Sequence, residues 1–162
     1  MYNKSVKPKV YVETSVISYL TARSSRDIIV IANQQATQEW WHERSEQFDL
    51  FVSQLVVQEA VYGDAEARPR RQETISRCTL LAVTQNAVEL AEHLIVQGAI
   101  RKKAAEDALH VAVAAVNGMD FLITWNFKHI ANAAIRANIE LVCRLNGYEP
   151  PVICTPLELM EV

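Results

Sequence analysis

Three acidic side chains in this sequence, Glu13, Glu59 and Asp107, stand where a carboxylate has no obvious packing role. Glu13 directly follows the β-branched and aromatic run 10–12, and Asp107 lies in a stretch of Ala, Val and Leu. Burying such a charge is costly unless something pairs with it. Three carboxylates around one pocket cannot all stay ionised without a cation, and their oxygens are the ligands that hard divalent ions take. The three acids therefore predict a site for Mg²⁺ or Mn²⁺.

The elements that would position these acids alternate along the chain as strands and helices. Predicted strands span residues 10–12, 48–52, 78–83, 121–124 and 152–154. Predicted helices span 28–46, 68–76, 87–97, 104–116 and 129–145, and shorter ones are capped by Ser15 and Ser53. Because helices separate the short strands, we expect an α/β fold with a mostly parallel central sheet between helices. The 162 residues, half of them hydrophobic, form a single domain, 1–162.

The predicted sheet places the acids at a common edge. In an open α/β sheet the ligand crevice lies at the carboxyl ends of the strands. Glu13 ends the first strand, and Glu59 lies about one turn into the helix after the second. Asn126, just after the fourth strand, would join them with a neutral carbonyl oxygen. Asp107 lies in the first turns of the buried helix before that strand, so we expect these four residues to be metal ligands.

Each expected ligand also has a plainer interpretation. Glu13 could pair with a nearby lysine, and Glu59 could lie on a solvated helix face. Asp107 could pair with Lys103, four residues earlier, if that residue is helical. Asn126 could simply serve a turn, as Asn often does.

Four further polar residues are expected around the ligands rather than among them. Thr14, Ser15 and Thr124 most simply cap helices or satisfy backbone groups, although one of these hydroxyls could hold a metal-bound water. His110 lies three residues after Asp107 and is more simply a core histidine beside the site than a ligand.

Composition bounds the class of protein. Three widely separated cysteines without a Cys-x-x-Cys pair argue against a disulfide framework and a zinc site. No apolar run approaches the roughly 20 residues that cross a bilayer, and no apolar signal segment is present, so we expect a cytoplasmic protein with no membrane contact. The net charge of −3 gives no overall basic field for nucleic acid, but local cations or bound metal ions can still recruit phosphate.

Two other enzyme or signalling classes fit less well. No Gly-x-Ser-x-Gly elbow or Gly-rich phosphate loop is present. A receiver-like signalling domain shares the parallel α/β architecture and an acidic Mg²⁺ pocket. It needs an acceptor Asp after the third strand, where this chain has Val83, Thr84 and Gln85.

Four segments carry a resemblance to a known family: residues 10–16, 53–59, 105–112 and 122–130. In this order and on these elements they resemble the PIN-domain ribonucleases, in particular the VapC-type toxins of bacterial toxin–antitoxin pairs. The resemblance implies a three-layer α/β/α fold and metal-dependent cleavage of single-stranded or structured RNA. It also implies an antitoxin partner, and it makes Glu13, Glu59 and Asp107 the catalytic residues.

The sequence departs from the family pattern at two positions. The first acid is usually Asp, and here Glu13 is one methylene longer. The last acidic position usually carries Asp, and here Asn126 offers a carbonyl oxygen without charge. The three charged ligands are enough for one Mg²⁺ that keeps several waters. Asn126 also leaves open a PIN-like module that binds RNA or a protein partner without cutting.

Two surface features predict contacts with partners. Arg101, Lys102 and Lys103 lie directly before the apolar helix and could bind RNA phosphates, or else be solvated loop charges. Trp40 and Trp41 point about 100° apart on a helix, so one of them should be exposed. It could mark a dimer or antitoxin groove, or lie against a neighbouring helix. We expect a homodimer.

Overall fold

The central element is a five-stranded sheet, seen in a computed structural model that describes residues 6–160. The strands are β1 (Lys9–Val12), β2 (Asp49–Ser53), β3 (Thr79–Leu81), β4 (Phe121–Ile123) and β5 (Val152–Cys154). Their order is β3-β2-β1-β4-β5, and every neighbouring pair is parallel. The predicted parallel sheet is therefore confirmed. Ala82, expected in the third strand, follows its last residue.

Seven α-helices in the described part of the chain cover this sheet. They are α1 (Thr14–Thr21), α2 (Ile28–Arg44), α3 (Gln54–Glu59), α4 (Arg68–Ser76), α5 (Gln85–Val96), α6 (Ala105–Val116) and α7 (Ala133–Leu145). Helix α1 packs on α2 and α4, whereas α5 packs on α6 and α7. Two helical groups and one sheet give the expected α/β/α sandwich. Within residues 6–160, no helix has both the length and the apolar content to span a membrane.

Strand β1 is both the most buried strand and the switch point of the topology. Val10, Tyr11 and Val12 have no exposed surface. From β1 the chain builds β2 and β3 on one side of it, and then returns to the other side as β4 and β5. Ligands of open α/β sheets bind at the carboxyl end of such a switch point. Glu13 is the first residue after β1 and therefore lies at this position.

Two helix starts differ from the prediction. Helix α1 is capped by Glu13, whose carboxylate accepts a hydrogen bond from the Ser15 backbone N–H at 2.7 Å, so Ser15 is not the cap. A carboxylate is a good N-cap because it accepts N–H groups that have no partner within the helix. Helix α7 begins at Ala133 instead of near His129, because Asn132 caps it by accepting from the Ala134 backbone N–H.

The prediction that one of the two adjacent tryptophans is exposed is wrong. Trp40 is fully buried and Trp41 is 8% exposed. Trp40 packs against Phe48, with ring centroids 5.7 Å apart, while Trp41 lies beside Arg70 and Arg77 at the α4 side. The two side chains do point to different faces of α2, but neighbouring elements cover both of those faces.

Helix α3 buries only part of its apolar surface. Val56 and Ala60 are buried, whereas Val57 and Val61 are 40% and 47% exposed. The helix is only six residues long and ends at Glu59, so Val61 lies beyond its last turn. A short helix end leaves Glu59 half-buried, close enough to the core to reach it and still accessible to solvent.

Candidate metal centre

Glu13 lies at the carboxyl end of β1 with only 4% of its surface exposed. Its Oε2 accepts hydrogen bonds from the Ser15 backbone N–H at 2.7 Å, from the Ser15 hydroxyl and from the Thr124 hydroxyl at 3.1 Å. Burial raises the pKa of Glu13, and the charge of His110 and these donors oppose that rise without cancelling it. The carboxylate is therefore oriented by hydroxyl donors but not fully compensated in charge.

Asp107 lies in the first turn of α6, and Asn126 determines what it contacts. The Asn126 side-chain nitrogen donates to Asp107 Oδ1 at 3.0 Å. The Asn126 oxygen accepts from the His129 backbone N–H at 3.0 Å, which fixes the orientation of the amide. Asn126 thus serves the turn after β4 and also holds Asp107. A role for its oxygen as a neutral metal ligand stays a prediction.

Burial also raises the pKa of Asp107. The Asn126 hydrogen bond and the charges of His110 and His129 lower it, and the nearby Glu59 carboxylate raises it further. The rise shows that the surroundings disfavour the charged form of this acid.

Glu59 is held by a chain of hydrogen bonds that crosses the core. Its Oε1 accepts from His110 Nε2 at 2.5 Å. His110 Nδ1 lies 2.7 Å from the Tyr11 hydroxyl, which lies 2.7 Å from the Ser53 hydroxyl. Tyr11, Ser53 and His110 are all at most 1% exposed. This chain joins β1, β2 and α6 to the end of α3, so the position of Glu59 depends on all four elements.

The sequence alone did not identify Tyr11 as part of this arrangement. One signal for it exists in the sequence: Tyr11 lies between two valines in a strand expected to be buried. A buried tyrosine hydroxyl usually needs a hydrogen-bond partner, so this position indicates a polar contact in the core. His110 was expected beside the ligands, and it is hydrogen-bonded to Glu59, one of the expected ligands.

His110 is the buried group that faces all three acids. Burial by itself would lower the pKa of His110, but the hydrogen bond to Glu59 and the charges of Glu13, Glu59 and Asp107 raise it above the ordinary value. The three acids therefore stabilise the protonated form of the imidazole. Their charges all act on this one buried ring.

The acids do not form a ready-made coordination shell in this arrangement. Within residues 6–160, no three Asp, Glu, His or Cys side chains stand close enough together to hold an ion. Each acid is instead held by a different neighbour, as described above. Their convergence on a single ion stays a prediction.

Two observations suit a divalent cation at this place. The pKa values of Glu13 and Asp107 stay raised despite the charge of His110, so their negative charge is only partly compensated, and hard divalent ions supply further compensation through oxygen ligands. The Thr14 hydroxyl oxygen, next to Glu13 in sequence, is buried without a hydrogen-bond partner among the described residues. A buried polar atom of this kind is usually satisfied by water or an ion.

The basic residues 101–103 before α6 are exposed, but they lie in two different surroundings. Lys102 and Lys103 belong to a 3₁₀ turn that leads into the helix. Arg101 precedes that turn and lines a cleft that Lys128 and His129 also line. Within residues 6–160, none of these five side chains forms an ion pair.

The family assignment rests on a match that spans most of the described chain. A model of the PIN domain matches residues 10–134. The chain belongs to the PIN-domain family. All four expected ligands of this PIN domain fall within the matched span. The family also sets aside a receiver-like signalling domain, which the residues after β3 already disfavoured.

Three solved structures have a fold similar to that of this chain. VapC20 from Mycobacterium tuberculosis, described as a toxin that cleaves the sarcin–ricin loop, matches with a TM-score of 0.58 and 16% identity over 74% of this chain and 92% of its own. A toxin–antitoxin complex from Klebsiella pneumoniae matches with a TM-score of 0.55 and 17% identity over 78% and 94%.

A third match is VapBC2 from Rickettsia felis, solved with a DNA fragment from its promoter. It has a TM-score of 0.54 and 13% identity over 74% of this PIN domain and 89% of its own chain. At these identities the likeness establishes the fold. No curated protein sequence matches significantly.

Proposed function

We propose that this PIN domain is a divalent-metal-dependent endoribonuclease, a hydrolase of RNA phosphodiester bonds, and the toxin of a toxin–antitoxin pair. One observation supports it above the others: Glu13 lies at the carboxyl end of the switch-point strand, and the charges of Glu13, Glu59 and Asp107 all act on one buried histidine. Family membership and the likeness to toxin structures support the same function.

In this proposal Glu13, Glu59 and Asp107 hold Mg²⁺ or Mn²⁺, with Asn126 beside them. The bound ion would lower the pKa of a water molecule and stabilise negative charge on the phosphate under attack. No covalent intermediate with the protein is required.

The surrounding residues position the acids. Ser15 and Thr124 direct hydroxyl donors to Glu13. His110 holds Glu59 and supplies positive charge when no metal ion is present. Asn126 holds Asp107. Because each acid has its own fixed donor, each carboxylate is held in place before an ion binds.

The proposal includes RNA as substrate and a cognate antitoxin protein as partner. Structures of complexes between toxins and antitoxins in the same fold support the partner. We also propose a homodimer in the cytoplasm. Light scattering tests this dimer, because the measured molar mass should be twice the 18.3 kDa of one chain.

A second candidate is a PIN-like module that binds RNA or protein without cutting. The contact between Asn126 and Asp107 favours it, because Asn126 donates a hydrogen bond to Asp107 where the family usually has a further acidic ligand. The two candidates differ in one property, which is turnover of RNA.

A cleavage assay distinguishes them. Mixed RNAs are incubated with the purified protein in Mg²⁺ or Mn²⁺, with and without chelator, beside Asp107→Ala and a control, Glu92→Gln, on the exposed side of α5. We expect cleavage by the wild type and the control, lost with chelator or Asp107→Ala. Cleavage that survives both treatments would contradict the proposal, and RNA binding without cleavage would favour the second candidate.

A further inference from the structure

A cleft of about 450 Å³ opens between the α5–α6 connection and the segment that leads into α7. Three of the side chains that line it can carry positive charge: Arg101, Lys128 and His129. No Asp or Glu lines it. The cleft therefore has basic walls in a protein whose net charge is −3.

These cations have no counter-ion of their own within residues 6–160. Every ion pair found there joins other residues. Like charges gathered in a concave space repel one another, and low-dielectric walls strengthen their field. Such a cleft attracts an anion.

The cleft adjoins the acidic centre. His129 donates its backbone N–H to Asn126, and Asn126 donates its amide to Asp107, at 3.0 Å in each case. The residue that holds an acid of the proposed metal centre is thus hydrogen-bonded to a residue that lines the basic cleft. A polyanion that reaches over the acids can also reach these cations.

We propose that this cleft binds a phosphodiester group of the RNA strand next to the one at Glu13, Glu59 and Asp107, through Arg101, Lys128 and His129. The inference rests on the proposed ribonuclease function. The chemistry is that of a backbone phosphate: arginine donates two parallel hydrogen bonds to phosphate oxygens, and lysine supplies a point charge. Such contacts position the strand without reading its sequence.

Only one residue of the basic run 101–103, which was expected to bind substrate, lies in this cleft. Arg101 lines the cleft, and Lys102 and Lys103 do not, although all three are exposed and adjacent. Only Arg101 of the three should contact the phosphate. Lys128 and His129, which follow Asn126 in the turn after β4, take the places that Lys102 and Lys103 were expected to fill.

Binding of a short single-stranded RNA in chelator, measured by fluorescence anisotropy at several salt concentrations, tests the cleft without any metal. Each lost phosphate contact should reduce the slope of log affinity against log salt by about 0.7. We expect this change in Arg101→Gln and in Lys128→Gln. Lys102→Gln and Lys7→Gln, the latter at the opposite edge of the sheet beside Asp120, should keep the wild-type slope.

Two results would contradict phosphate binding in the cleft. One is a wild-type salt slope in both Arg101→Gln and Lys128→Gln, and the other is an equal reduction of the slope in Lys102→Gln. Mg²⁺ titration and RNA cleavage on the same proteins keep the two proposals apart. If the variants have reduced salt slopes but the wild type never cleaves RNA, phosphate binding in the cleft is supported and the ribonuclease function is rejected. If the slopes are unchanged but the wild type cleaves RNA, only phosphate binding in the cleft is rejected.

Discussion

The side-chain nitrogen of Asn126 lies 3.0 Å from Oδ1 of Asp107, and the oxygen of the same amide accepts the backbone N–H of His129 at 3.0 Å. An amide can serve both contacts because it is a donor at one end and an acceptor at the other. A carboxylate in its place could keep the second contact but not the first. The type of residue at position 126 therefore sets the amount of negative charge beside Asp107.

Replacing Asn126 with Asp should strengthen metal binding and destabilise the metal-free protein. A fourth carboxylate adds a charged oxygen for a hard cation, and about 1.4 kcal/mol of extra attraction raises affinity tenfold. Without metal it repels Asp107, whose pKa is already raised by burial. Calorimetric titration with Mg²⁺ should show affinity higher on the order of tenfold, and melting in chelator should occur at a lower temperature.

Asn86→Asp is the matched control, because Asn86 is exposed on α5 and does not line the basic cleft. It should change neither quantity. Equal affinity and equal metal-induced stabilisation in Asn126→Asp and the wild type would remove Asn126 from the site and leave three ligands.

Tyr11→Phe should destabilise the protein and weaken metal binding together. The variant keeps the ring in the core but leaves the buried Ser53 hydroxyl and His110 Nδ1 without their shared partner. An unsatisfied buried group costs about 1–3 kcal/mol. Urea unfolding should show a loss of this size, and Mg²⁺ affinity should fall severalfold because His110 loses the hydroxyl that fixes its ring and so holds Glu59 less firmly.

Tyr19→Phe controls for the loss of a hydroxyl, since Tyr19 stacks on Trp125 and its hydroxyl makes no hydrogen bond within the described residues. It should leave both measurements near wild type. If Tyr11→Phe lowers stability but not Mg²⁺ affinity, the hydrogen-bond chain supports the core alone and does not position Glu59.

Stability of the metal-free protein should fall as the pH rises from acidic to alkaline values. Glu13, Asp107 and His110 all have pKa values above their ordinary ones in the folded state. A raised pKa means that the folded state binds more protons, so the stability it contributes is complete below the ordinary pKa and is lost as pH passes the folded value. For Glu13 and Asp107 the loss begins above their ordinary values of 4.5 and 3.8, and for His110 above 6.5.

Melting temperatures between about pH 5 and pH 8, in chelator and in saturating Mg²⁺, measure this effect. The decline should be steep in chelator and shallow in Mg²⁺, because the ion replaces the lost protons as a source of positive charge. Parallel pH profiles in the two conditions would show that these groups do not face a common ion.

The sequence was sufficient to predict the fold because the relevant signals are local. Short apolar strands separated by helices predict a parallel sheet, and a β-branched run ending in Glu13 predicts an acid at a sheet edge. The burial of Trp41 was not predictable in this way, since Trp41 lines a cleft with Arg70 and Arg77 of helix α4, which is distant in the sequence. No periodicity in α2 records that neighbour.

The arrangement of the site depends on contacts between distant residues. Tyr11 meets Ser53 and His110 across separations of 42 and 99 residues, and nothing near Tyr11 in the sequence specifies either partner. The orientation of the Asn126 amide likewise follows from the backbone of the turn that it closes. Residue types and strand ends therefore predicted which acids share a neighbourhood, but not which side chain holds each of them.

The central claim is that Glu13, Glu59 and Asp107 bind one divalent ion. Calorimetric titration of Mg²⁺ into the wild type, Glu59→Gln, Asp107→Asn and the distant control Glu92→Gln tests it most directly. Both site variants keep the size of the side chain, and Glu59→Gln keeps an oxygen for His110. We predict that the wild type and Glu92→Gln bind Mg²⁺ with one affinity and that both site variants lose an order of magnitude or more. Equal affinity in all four proteins, each shown to be folded, would contradict the account.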